Sequence, residues 1–188
     1  MIIDFGPKAG LLIRRVWIEE LPDVRYPVED VVEYSLEAAP KGWGAMRSAA
    51  AEMVRPSCGP SSYALIGAKF LPAATGSLRI QVAISEAGGE KLETPANEEQ
   101  AGAPIFHSTK FVGFPREFLR GVFDVAVDAA DLLGSGLLRF DHAAHDSVGS
   151  SIMAFRWATQ ATVRLLTINS NAISEDELRQ LLVLDRDR

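Results

Sequence analysis

Apolar residues along the chain switch between a period of about two and a period of about 3.6, and the switches divide it into elements. The first eighteen residues hold two short apolar runs, MIIDF and GLLIRRVWI, separated by Gly-Pro and Gly, and they read as strands. Residues 19–30 (EELPDVRYPVED) are acidic and contain proline, which predicts a surface connection. VVEYSLEA (31–38) alternates as a strand does. Pro40 then opens KGWGAMRSAAAEMVR, where Trp43, Met46, Ala50, Met53 and Val54 fall at helical spacing. Proline suits a first helical turn, because its missing N–H has no partner there, and Pro56 would end the helix. Gly42 and Gly44 weaken that first turn.

The second half is patterned more sharply. SYALIGAKFL (62–71) and SLRIQVAIS (77–85) flank PAATG and predict a β-hairpin. Residues 86–102 are polar, rich in Gly, Glu and Ala, and without period, so they read as a mobile loop. PIFHSTKFV (104–112) is a further strand. Pro115 opens a central helix whose apolar face is Leu119, Val122, Phe123, Ala126, Ala130 and Leu133, ended by Gly134-Ser135-Gly136. A short strand (137–140) and a loop holding Asp141, His142, His145 and Asp146 follow. Ser150 or Ser151 caps the next helix, with Ile152, Phe155, Ala158, Thr162 and Leu166 facing the core. Ser174 and Glu177 have capping-box spacing and start a short C-terminal helix.

Pro40-Lys41-x-Trp43 and Pro115-Arg116-x-Phe118 each set a proline, a base and an aromatic at a helix start. This weak echo suggests two strand–helix–strand units in one α+β sandwich.

Two runs resemble a known family. GFPREF (113–118) resembles the run that opens the first helix of the fourth domain of translation elongation factor G. HDSVGSSIMAFRWATQA (145–161) resembles the run that opens that domain's second helix, and the order of hairpin, loop, strand, helix, strand and helix agrees. The resemblance spans roughly residues 63–166. It implies a ribosomal-protein-S5-domain-2-like fold: an α+β sandwich with helices packed on one face of a mixed β-sheet. Residues 1–60 would form an N-terminal strand–helix extension, 61–170 the elongation-factor-like unit, and 171–188 a short helix and tail. The implied function is a non-enzymatic binding module, ribosome- or translation-associated or reused for protein–protein binding. Arg116, Arg120, His145 and Asp146 would be its binding residues.

The chain departs from that family in ways that bear on function. It lacks G-x-x-x-x-G-K-[ST] and N-K-x-D, so it has no phosphate-cradling loop. The family's hairpin tip is Gly-rich and basic; here it is the uncharged Pro72-Ala73-Ala74-Thr75-Gly76. Ile152 stands where the family has glutamate.

Composition narrows the classes further. Over 188 residues, 47% are hydrophobic and 23% charged, an ordinary globular balance. The net charge of −6 argues against a general nucleic-acid binder, which usually shows a basic face. A single cysteine, Cys58, rules out an intramolecular disulfide and points to a reducing, cytoplasmic setting. No leader pattern and no apolar run long enough for a membrane span is present. A homo-oligomer pairing through exposed strand edges is a further expectation.

One cluster carries an alternative chemistry. Asp141, His142 and His145, with Asp146 as a base, would suit zinc or manganese in a lyase or hydrolase, provided the loop is helical enough to converge them. Against this, His145-Asp146 matches a His-Glu pair in elongation factor G that implies no metal, and then no cofactor is expected. His107 would strengthen the metal reading if its strand approached the loop. Arg116 and Arg120 share a helix face and would contact phosphates or, more simply, pair with acids such as Glu117 and Asp124.

Overall fold

The structure, a computed structural model, describes residues 1–6, 12–55, 62–86, 89–92, 109–169 and 173–182. Eight strands form one sheet: β1 (Ile2–Asp4), β2 (Ile13–Ile18), β3 (Asp30–Glu37), β4 (Arg47–Arg55), β5 (Ser62–Pro72), β6 (Ser77–Ile84), β7 (Lys110–Val112) and β8 (Gly136–Asp146). The order across the sheet is β1-β2-β4-β5-β8-β6-β3, with β7 on the far end of β8. All pairs are antiparallel except β6–β8. That parallel pair is joined through a 3-10 turn (Arg116–Phe118), α1 (Leu119–Asp128) and α2 (Ala130–Leu133). Helix α3 (Ile152–Leu166) follows β8, and α4 (Glu175–Leu181) closes the described chain. The fold is thus α+β, as expected. No helix among the described residues is long and apolar enough to cross a membrane.

Helices α1 and α3 pack on each other and on one face of the sheet. Ser151 caps α3 by accepting from the Ala154 N–H at 3.1 Å. Phe155 of α3 stacks on Phe118 (4.9 Å between centroids) and meets Phe114 edge-on (5.0 Å). The Thr162 hydroxyl donates to the Ile66 carbonyl of β5, tying α3 to the middle of the sheet. Gly121 brings the helices together: a Cβ there would lie 2.3 Å from the Ile152 carbonyl oxygen. The Ser174–Glu177 capping box of α4 is present as the spacing predicts.

Three local expectations are overturned. The helix predicted from Pro40 is strand β4 at Arg47–Arg55, and Met46 is exposed rather than in the core. Its run AAAEMV, apolar but for Glu52, fits either period. The ladders offered by β2 on one side and β5 on the other decide for a strand, and Ala49 through Met53 are buried. β4 and β5 pair at nine positions, so residues 47–55 are continuous with the sheet that follows rather than appended to it. The hairpin predicted from β5 and β6 is split. β8 inserts between them, antiparallel to β5 and parallel to β6, a long-range event that local pattern does not record.

The third correction concerns residues 19–29. β2 and β3 lie far apart in the sheet, so the link between them crosses the face opposite the helices. Glu19 turns the chain in a left-handed conformation (φ 63°) while its N–H donates to the Ser48 carbonyl. Pro22, Val24 and Tyr26 then alternate as buried residues with exposed Asp23, Arg25 and Pro27, an extended strap rather than a loose surface connection. The Tyr26 hydroxyl donates to the Ala83 carbonyl of β6 at 2.9 Å, and the Glu29 N–H to that of Ile84. The central strands are therefore covered on both faces.

Candidate functional site

The loop expected at residues 141–146 is the C-terminal half of β8, and this separates the four residues that stood out in the sequence. Side chains of a strand alternate between faces. β8 carries a bulge: Phe140 opposes Ala68 and His142 opposes Gly67, leaving Asp141 as the extra residue. Asp141 and His142 consequently sit together on the strap face, with Oδ1 and Nδ1 2.6 Å apart. His145 points to the helix face, its ring near Phe111 and Phe118. Asp146 ends the strand, where Oδ1 accepts from the N–H groups of Val148 and Gly149 and caps the turn.

Three cations ring the Asp141–His142 pair. Arg139 Nε lies 3.2 Å and Lys69 Nζ 3.6 Å from Asp141 Oδ2, and Arg25 of the strap donates through Nε to His142 Nε2 at 3.4 Å. Gly67 makes the room: a Cβ there would meet Leu21 of the strap at 2.9 Å and the His142 Cβ at 3.1 Å. An arginine Nε only donates, so His142 Nε2 accepts and Nδ1 carries the proton offered to Asp141. Burial works to raise the Asp141 carboxyl. The hydrogen bond from His142 and the charges of Lys69 and Arg139 outweigh it and hold the group below the usual carboxylate range. Tyr26 of the strap is pushed well above the ordinary phenol value, first by burial and then by the charge of Asp141.

This arrangement fastens the strap to the sheet. The imidazole of His142 is 3% exposed and both its nitrogens are engaged, so it has no free atom to offer a substrate. Burial depresses the pKa of His145, against the opposing pull of the Gly113 carbonyl, Glu117 and Asp146. The zinc or manganese alternative needed Asp141, His142 and His145 to converge. On the strand His142 and His145 face opposite sides of the sheet, and no three His, Cys, Asp or Glu side chains among the described residues are placed to share an ion. His107 and Cys58 lie outside the described residues.

Arg116 and Arg120 reach different acids. Arg116 reaches the Asp30 carboxylate at the start of β3, and its N–H donates to Glu86. The guanidinium holds the Asp30 carboxyl below its ordinary value. Arg120 is 79% exposed and pairs with Asp124 one turn on, at 3.6 Å. Of the two acids named for this face, Asp124 is engaged as expected, while Arg116 turns instead to acids of the sheet edge.

A feature that no motif flagged is the free side of β3. Its inner side pairs with β6 in register at all eight positions, without a bulge. Among the described residues no strand pairs with its outer side. Val31 (44% exposed) and Tyr34 (50%) stand on it. Tyr34 meets Phe123 of α1 edge-on at 6.4 Å, and the two line a shallow groove with Asp124, Val127 and Arg156. The signal was present in the sequence as VVEYSLE, a regular strand with neither proline nor lysine. Its edge position is a property of topology alone.

Comparison with family models, with curated proteins and with solved structures finds no match to this chain.

Proposed function

We propose that the protein is a non-enzymatic binding module that takes a segment of a protein partner as an added strand on β3. The observation that carries this reading is the unbulged, eight-residue edge of β3, whose outer side no strand among the described residues pairs with. Sheet edges are ordinarily blunted by shortness, proline, lysine or a bulge, because an open row of N–H and C=O groups recruits another strand. The opposite edge, β1, is three residues long and fits that rule. β3 is eight residues long and has no proline, lysine or bulge; the charges it carries, Asp30, Glu33 and Glu37, are all acidic. Strand addition gives affinity through main-chain bonds and leaves selectivity to alternate side chains.

The test is to pan a random decapeptide library on the immobilised full chain and to measure selected peptides against Ser35→Pro and Leu36→Pro. Adjacent residues direct their N–H groups to opposite sides, so one of these prolines faces away from β6 and leaves the ladder intact. The variant that folds, by circular dichroism, is expected to bind about tenfold more weakly or worse, a loss of roughly 1.4 kcal/mol. Undiminished binding by that variant removes the reading. The resemblance to elongation factor G supports a ribosomal partner as one version of it. Co-sedimentation of the chain with ribosomes at low salt tests that version, and no enrichment in the pellet removes it.

A further inference from the structure

The two faces of the β3 edge differ in chemistry, and the difference specifies what an added strand would carry. Val32, Tyr34 and Leu36 lie on the helix side, where Tyr34 and Phe123 bound the groove. The charges on this side are already matched: Asp30 by Arg116, and Asp124 by Arg120 and Arg156. Glu33 and Glu37 lie on the other side. Glu33 accepts a hydrogen bond from the neutral Gln81, and Arg79 stands beside Ser35 between the two acids.

We propose that the segment received by β3 alternates apolar with polar residues, its apolar side chains entering the groove between β3 and α1 and two basic ones meeting Glu33 and Glu37. This deepens the strand-addition reading and rests on it. Residues directly across a ladder share a face, with about 5 Å between opposed side chains. The positions facing Val32, Tyr34 and Leu36 would therefore reach the groove. Those facing Glu33 and Glu37 would meet carboxylates about 13 Å apart along the strand. The position between them, facing Ser35, is near Arg79 and suits a small neutral residue. The resulting pattern, read along an antiparallel segment, is Lys-Val-Ser-Val-Lys-Val. A second copy of this chain fits poorly. An antiparallel dyad preserves faces, so Glu33 and Glu37 of both copies would line one side of the joined strands, on chains of net charge −6.

The test uses a fluorescein-labelled Lys-Val-Ser-Val-Lys-Val peptide, flanked by serines, in anisotropy titrations with the full chain. Three companions carry Glu for Lys, Ser for Val, or N-methyl groups on alternate residues. The lysine peptide is expected to bind about tenfold more tightly than the glutamate peptide, and Glu33→Lys with Glu37→Lys to reverse that order. The serine and N-methyl peptides are expected to lose binding. Equal binding of lysine and glutamate peptides, both lost on N-methylation, overturns the charge assignment and leaves strand addition standing. No binding by any peptide overturns both. A stable dimer by sedimentation, with the edge residues buried in it, overturns the assignment in favour of a second copy.

Discussion

Replacing Gly121 with alanine sets two effects of opposite sign against each other, and the fold decides which prevails. In a helix interior alanine is favoured over glycine by about 1 kcal/mol, so the change alone would stabilise α1. The new Cβ would lie 2.3 Å from the Ile152 carbonyl oxygen and 3.1 Å from the Arg156 nitrogen, both backbone atoms of α3. Neither can swing aside. Relieving the contact requires α1 and α3 to part by roughly 1 Å, enough to forfeit a quarter to a half of the dispersion energy of the atoms concerned. The Phe118–Phe155 stack spans that interface. Overpacking of this kind costs about 1–3 kcal/mol and is expected to exceed the propensity gain. Urea unfolding followed by tryptophan fluorescence measures the balance. With a net cost of up to about 2 kcal/mol and a slope of about 1–3 kcal/mol per molar, the midpoint should fall by up to about 2 M. A midpoint at or above that of the parent chain would refute the close helix contact that positions α1 beside β3.

Other consequences are more local. Asp141 titrates below its ordinary value when folded, so its contribution to stability is complete above the unfolded value of about 3.9 and is lost as pH falls through the folded one. Asp141→Asn should therefore cost about 1–3 kcal/mol at pH 7, with the gap to the parent closing below pH 4; parallel stability curves would contradict it. The folded pKa of His145 is depressed by burial, so its contribution is present above about 6.5 and lost as pH falls through the lower folded value. An NMR titration should find its midpoint below 6.5, and a midpoint above that would show the Gly113 carbonyl, Glu117 and Asp146 to outweigh burial. Ser151→Ala removes the cap of α3 and should cost about 1 kcal/mol by thermal or urea unfolding.

The sequence made some of this molecule legible and hid the rest for physical reasons. Helices α1 and α3 were readable because their apolar faces recur at 3.6 and capping or proline signals mark their starts. β4 was not, because three successive alanines followed by Glu52, Met53 and Val54 match neither period over the other. The strap was misjudged because its prolines and acids resemble a loop, while its inward residues, Val24 and Tyr26, are only every second one. The histidine cluster looked like a site because four donors lie within six residues. A strand with one bulge joins Asp141 to His142 and parts both from His145. Lys69 of β5 and Arg25 of the strap come to Asp141 and His142 from distant segments, and the edge position of β3 follows only from the strand order, in which no strand among the described residues lies beyond it.

The central claim is that β3 accepts a strand, and amide hydrogen exchange tests it most directly. Exchange across residues 30–37 would be measured, residue by residue, with and without a saturating Lys-Val-Ser-Val-Lys-Val peptide. The account expects alternate amides of β3, those facing away from β6, to become protected while their neighbours, already bonded to β6, stay unchanged. Peptide binding that leaves every β3 amide exchanging as before would contradict it.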